Sequence, residues 1–178
     1  MSSALGFRRS LPILSVMLVL AGGSDAWAQP RCGGRDATIV GTPAGETLIG
    51  TSGRDVIVAG GGDDVVRGRG EDDRICGNGG DDQLFGGPAT DRIVGGNGAD
   101  RIAGGAGGDS ATGSSGDDRV NGGPGSDFLT GRSGDDRLIG KGGFDFLIGH
   151  GGFDVARAGP GIDQCGAEVE ISCENPPP

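Results

Sequence analysis

The nine residues Gly95-Gly96-Asn97-Gly98-Ala99-Asp100-Arg101-Ile102-Ala103 decide the fold, because their pattern recurs fourteen times without an insertion from Gly41 to Gly166. The sixth position is acidic in every unit: Glu46, Asp55, Asp64, Asp73, Asp82, Asp91, Asp100, Asp109, Asp118, Asp127, Asp136, Asp145, Asp154 and Asp163. The eighth is Leu, Ile or Val in eleven units, with Ala111, Ala156 and Cys165 as the exceptions. Gly holds the first position in twelve units and the fourth in eleven. A period of this length and constancy is the mark of a solenoid, in which each unit buries its apolar side against its neighbours.

Within a unit, the Gly-rich front half suits a turn that needs positive φ at several positions. The last three residues read as a short strand whose middle side chain points inward while its neighbours point outward. Two units then make one coil, with a strand on each side and a turn at each edge. The fold expected is all-β, a parallel β-roll (a β-solenoid) of nine-residue repeats with two repeats per coil.

The composition agrees. Gly supplies 42 of 178 residues and aromatic residues only 4%, too little large apolar surface for an ordinary core. Collagen is excluded because Gly does not recur at every third position. The formal charge is −10. At the start, Arg8 and Arg9 precede an apolar run from Leu11 to Ala21, and Ala26-Trp27-Ala28 follows. That order predicts a secretory signal peptide over 1–28, cleaved after Ala28. The run is too short, and broken by Pro12, for a membrane span. The chain is expected to be secreted and extracellular, carrying a charge of −11 once Arg8, Arg9 and Asp25 are removed.

On a coiled chain, acids 18 residues apart become neighbours, about 4.8 Å apart along the stack. Such ladders repel themselves well inside the Debye length, so a cation is required between the rungs. Carboxylates and open turn carbonyls are hard oxygen donors, which suit Ca²⁺ with its 6–8 flexible ligands better than Mg²⁺ or softer metals. The candidate metal ligands are Asp55, Asp64, Asp73, Asp82, Asp91, Asp100, Asp109, Asp118, Asp127, Asp136, Asp145, Asp154 and Asp163.

Residues 41–166 resemble the RTX (haemolysin-type) calcium-binding nonapeptide repeat, Gly-Gly-x-Gly-x-Asp-x-(large apolar)-x. The resemblance implies that each Ca²⁺ is held between turns on one edge, by sixth-position carboxylates and carbonyls of the Gly-rich turn. Asp64 with Asp82, or Asp100 with Asp118, would each bracket an ion. Glu46, and the fourth-position Ala44, Glu71 and Ala89, depart from the pattern, so weak or empty sites are expected there. Seven acids per edge bracket at most six ions, twelve in all, which would carry the mature chain from −11 to +13; partial filling is expected.

Residues 29–40 read as an N-terminal cap, with Ile39 inward and Ala37 where an acid belongs. Residues 167–178 read as a C-terminal cap and disordered tail, with Val169-Glu170-Ile171-Ser172 a covering strand. Four cysteines fit disulfides in an exported chain, with three possible connectivities. Sequence proximity favours Cys165–Cys173, which leaves Cys32–Cys76. Zinc is disfavoured because there is no CxxC and His150 is the single histidine.

The outward seventh and ninth positions differ between faces. One carries a ladder of Arg101, Arg119 and Arg137; the other collects Val56, Val58, Val94, Phe128, Phe146 and Ile148. The apolar stripe raises self-association as a possible partner contact, and the arginines raise an acidic polymer. An alternative function is therefore a calcium-dependent adhesive or acidic-polysaccharide-binding surface module. The mature residues lack Trp and Tyr, which counts against a lectin, and only Thr112 and Thr130 align, too few for an ice-binding array. No HExxH, GxSxG or P-loop is present, and His150 reads as a surface turn residue, so no enzyme is expected. Neither a nucleic-acid partner nor a membrane span is expected.

Overall fold

The computed structural model describes residues 29–166; the expected signal peptide and the segment 167–178 lie outside the described residues. The chain winds into a parallel solenoid with two sheets back to back. One sheet has seven strands: Thr47–Ile49, Val65–Arg67, Gln83–Pro88, Arg101–Ala106, Arg119–Pro124, Arg137–Gly142 and Val155–Arg157. The other has eight: Ile39–Val40, Val56–Gly61, Arg74–Gly79, Arg92–Asn97, Ser110–Ser115, Phe128–Ser133, Phe146–Gly151 and Gln164–Cys165. Each strand pairs in parallel with the strand 18 residues on, as Ile102 does with Val120 and Ile93 with Ala111. Two nonapeptides per coil is thus the observed geometry.

Ten of the strands run to six residues, longer than the three the pattern predicts. Arg101–Ala106 runs from the seventh position of one unit to the third of the next, and pairing resumes beyond the glycine, as Gly105 with Gly87 and Ala106 with Pro88. The Gly at the first position bends the strand around the corner without ending the ladder. Eighth-position side chains form one continuous core through the stack, from Ile39 to Ala156, with Ala59 and Ala158 added at two first positions and Cys165 packed against it. Ala111 and Ala156, the small exceptions, are as buried as the leucines because the two sheets are close together.

The N-terminus departs from the roll. Arg31–Cys32 and Arg35–Asp36 form an antiparallel hairpin, turned by Gly33 and Gly34 with φ of 56° and 81°. Positive φ at both central residues is what a two-residue hairpin turn requires. The hairpin lies on the outside of the eight-stranded sheet, held by a Cys32–Cys76 disulfide across 44 residues. Closing a loop of that length stabilises the fold by about 4 kcal/mol in the chain-entropy account. Cys32, Val58 and Cys76 are buried together, with Ala37, Val56 and Val94 packed against them. The apolar stripe is therefore not one exposed face: its first half is the floor under this hairpin. Phe128 and Phe146, in its second half, stack outward with ring centroids 5.2 Å apart. Cys165 is also disulfide-bonded, and Cys173, the partner expected for it, lies outside the described residues.

The turns impose the fourth-position glycine. Gly98 has φ of 122°, and a methyl group built on it would lie 2.3 Å from the Gly80 carbonyl oxygen one coil below. Gly98→Ala is expected to destabilise the roll by about 1–3 kcal/mol, from backbone strain and displaced coils. Thermal melting followed by circular dichroism checks this; an unchanged midpoint would contradict the stacking described.

Candidate metal centre

Side chains alternate along each strand, so the inward set includes the sixth position as well as the eighth. The carboxylates are accordingly buried: Asp55 to Asp154 are each at most 5% exposed. The ladder expected at the roll edges is thus inside the turns rather than on a solvated face. Within it, each carboxylate has two distinct oxygens. Oδ1 of one rung accepts the amide of the acid one coil earlier, as Asp100 Oδ1 does from the Asp82 N–H at 2.9 Å and Asp118 Oδ1 from the Asp100 N–H at 2.8 Å. The acids' own carbonyls continue the ladder, with the Arg101 N–H donating to the Asp82 carbonyl at 2.8 Å. The two edges carry separate series, one running from Glu46 through Asp64 to Asp154 and the other from Asp55 through Asp73 to Asp163.

Oδ2 is different. In twelve rungs, Asp64, Asp73, Asp82, Asp91, Asp100, Asp109, Asp118, Asp127, Asp136, Asp145, Asp154 and Asp163, it is buried and has no hydrogen-bond partner. A buried ionised oxygen without a partner is among the costliest groups a fold can hold. In the two remaining rungs the turn itself supplies the donors. The Thr51 N–H and Oγ1 donate to Asp55 Oδ2 at 2.6 and 3.0 Å. The Thr42 N–H donates to Glu46 Oε1 at 2.6 Å, and the Thr42 hydroxyl donates to the same oxygen.

Backbone conformation at the second position separates the two groups. From Gly60 to Gly159, all twelve second-position residues have positive φ, including the non-glycines Arg69, Asn78, Ser114, Arg132, Lys141 and His150. That conformation turns the second-position N–H away from the unit's own carboxylate. Thr42 and Thr51 do not adopt it, and their amides close on the acid instead. Strain of order 1–2 kcal/mol at each non-glycine is the cost of leaving Oδ2 open. Among the positions with altered fourth residues, Glu46 is closed in this way, whereas Asp73 and Asp91, in the units of Glu71 and Ala89, keep a free Oδ2.

The first-position glycine completes the site. A methyl group on Gly95 would lie 2.1 Å from Asp100 Oδ2 and 2.7 Å from the Gly113 carbonyl oxygen. Gly68, Gly77, Gly86 and Gly104 have the same two kinds of neighbour. Each is a cradle that a side chain would fill, bounded by one carboxylate and one carbonyl oxygen. Both are hard oxygen donors of the kind Ca²⁺ takes. Sequence reasoning placed the acids but not the threonines that close Glu46 and Asp55. It also missed the fifth-position acids, which tie neighbouring turns: Asp63, Asp81, Asp117 and Asp135 each accept the fifth-position amide one coil later through Oδ1.

The family model described as the RTX calcium-binding nonapeptide repeat (4 copies) matches residues 40–75, 77–111, 94–129, 112–147 and 130–165. The chain belongs to this family, and its roll is a calcium-binding repeat of that kind. No curated protein matches the chain. No helix among the described residues is long and apolar enough to cross a membrane.

Desolvation raises the carboxyl pKa values against the partial relief of the Oδ1 hydrogen bond, and neighbouring carboxylates raise them further. Asp64, Asp100, Asp127 and Asp136 are pushed up to about 6, and Asp91 and Asp118 to about 7. A folded-state pKa above the unfolded value means that protonation favours folding: the contribution is complete below the unfolded value of about 4 and is lost as pH rises through the folded one. In chelator, the metal-free chain is therefore expected to hold more β structure near pH 4 than at pH 8, with the loss centred between about 6 and 7. A pH titration by far-UV circular dichroism in chelator checks the sign, and greater β content at pH 8 would contradict it.

Proposed function

We propose that this chain is an exported, non-catalytic calcium-binding protein whose roll closes around several Ca²⁺ ions. The observation that supports this is the set of twelve buried Oδ2 atoms without a partner. Six such acids per edge bracket at most five ions, ten in all, fewer than the repeat count alone allows. Asp64 to Asp154 on one edge and Asp73 to Asp163 on the other are the proposed ligands, with first-position carbonyls beside them. Asp55 is left out of the set because Thr51 already supplies its donors.

The two closed rungs and the disulfide-held hairpin form a metal-independent start. On it, each added coil needs only its own ions. Ligand that binds the folded state alone stabilises it by mass action. Extracellular calcium modules work at about 10⁻⁴–10⁻³ M. A chain of this kind stays open at cytosolic calcium and folds after export, and the Cys32–Cys76 disulfide supports an oxidising destination.

Asp100→Asn with Asp118→Asn keeps an Oδ1 acceptor for the amide ladder and removes the negative charge at Oδ2. The double variant is expected to bind fewer Ca²⁺ ions by equilibrium dialysis. Its metal-free form is expected to be no less stable than the wild type, because two buried charges are gone. An unchanged ion count would show that these carboxylates are not ligands.

A further inference from the structure

Away from the edges the charge changes sign. The outward seventh and ninth positions of the seven-stranded sheet carry Arg67, Arg101, Arg119, Arg137 and Arg157, and no acid. Register sets Arg101 beside Arg119 and Arg119 beside Arg137 on consecutive strands, about 4.8 Å apart. None of these three makes an ion pair among the described residues, unlike Arg54, which faces Glu71 at 3.7 Å and Asp72 at 2.8 Å. The nearest acidic row, Asp117 and Asp135, has its Oδ1 atoms committed to turn amides.

Along the other side of the arginines runs a groove of ≈ 340 Å³. Its floor lies at the small ninth-position residues Ala103 and Asn121, with the larger Phe85 and Ile139 flanking them along the roll axis. The arginine row separates it from the acidic edge. Between the three arginines and Gln83 the lining is mostly apolar.

We propose that this groove binds a linear acidic polysaccharide laid along the roll axis. A regular row of cations one strand apart matches a polymer with repeating charge rather than a single small anion. The planar guanidinium fork matches carboxylate and sulfate groups bidentately. Sugar rings present C–H faces for the apolar floor. A single-stranded nucleic acid would call for exposed aromatic platforms, and Phe85, the aromatic residue of the groove, already has Arg67 over its ring at 5.1 Å. This inference goes beyond calcium binding and rests on the fold, not on the ion sites.

The test uses the intact mature chain, with the β signal of every sample read by circular dichroism. In saturating Ca²⁺ and low salt, the protein is expected to bind heparin, and the Arg101→Gln/Arg119→Gln/Arg137→Gln variant to bind about tenfold more weakly. Arg74→Gln/Arg92→Gln, on the opposite sheet, is expected to change binding less than about twofold. Wild-type protein with full β signal that fails to bind heparin would overturn the proposal. So would equal losses in the two variants, or competition by polyphosphate as effective as by a heparin oligosaccharide of equal charge. A chain that Ca²⁺ does not fold contradicts the calcium reading alone, and binding is then measured in whichever buffer carries the β signal.

Discussion

A carboxylate buried with one oxygen tied into the backbone and the other left without a donor is the constraint on which this molecule depends. Repeated through twelve rungs, it is a cost set against a narrow apolar core. Only a change in charge state relieves it, by protonation or by a cation. The other features of the repeat follow from the same site. A glycine at the first position leaves space beside Oδ2, and positive φ at the second turns the nearest amide away. The aliphatic eighth position keeps the coil narrow enough to bury the acid.

The N-terminal end is built on a different rule. Glu46 and Asp55 receive their donors from Thr42 and Thr51, so the first rungs are satisfied without an ion. Ahead of them, the Thr38 hydroxyl reaches Asp55 Oδ1 at 3.4 Å and takes the place of a further rung amide. The hairpin from Arg31 to Asp36 then turns out of the roll and covers part of one sheet. The Cys32–Cys76 disulfide fastens the hairpin there covalently.

Much of this could be read from the residues. The period gave two units per coil and the inward eighth position, and the nearness of Cys165 to Cys173 left Cys32–Cys76 as the other pair. Less legible was the fate of the acids. The acid ladder itself was legible, but not that each carboxylate is buried with Oδ1 taking a backbone amide; Asp100 lies just ahead of the strand Arg101–Ala106 and faces inward like Ile102 two residues on. Val56, Val58 and Val94 looked like part of an open stripe because nothing in a repeat pattern reveals that a segment outside the repeat folds back on it. The closing role of Thr42 and Thr51 had a visible signal, a hydroxyl residue at the second position of the first two units. Its meaning depends on a backbone conformation that only the coordinates supply.

The central claim is that the buried acids need calcium in order to fold. Far-UV circular dichroism of the mature chain at neutral pH, disulfides intact, tests it most directly when Ca²⁺ is titrated in and Mg²⁺ serves as the control. The account predicts little β signal in chelator and a cooperative gain with Ca²⁺ alone, at about 10⁻⁴–10⁻³ M. A full β signal in chelator at neutral pH, or an equal response to Mg²⁺, would contradict it.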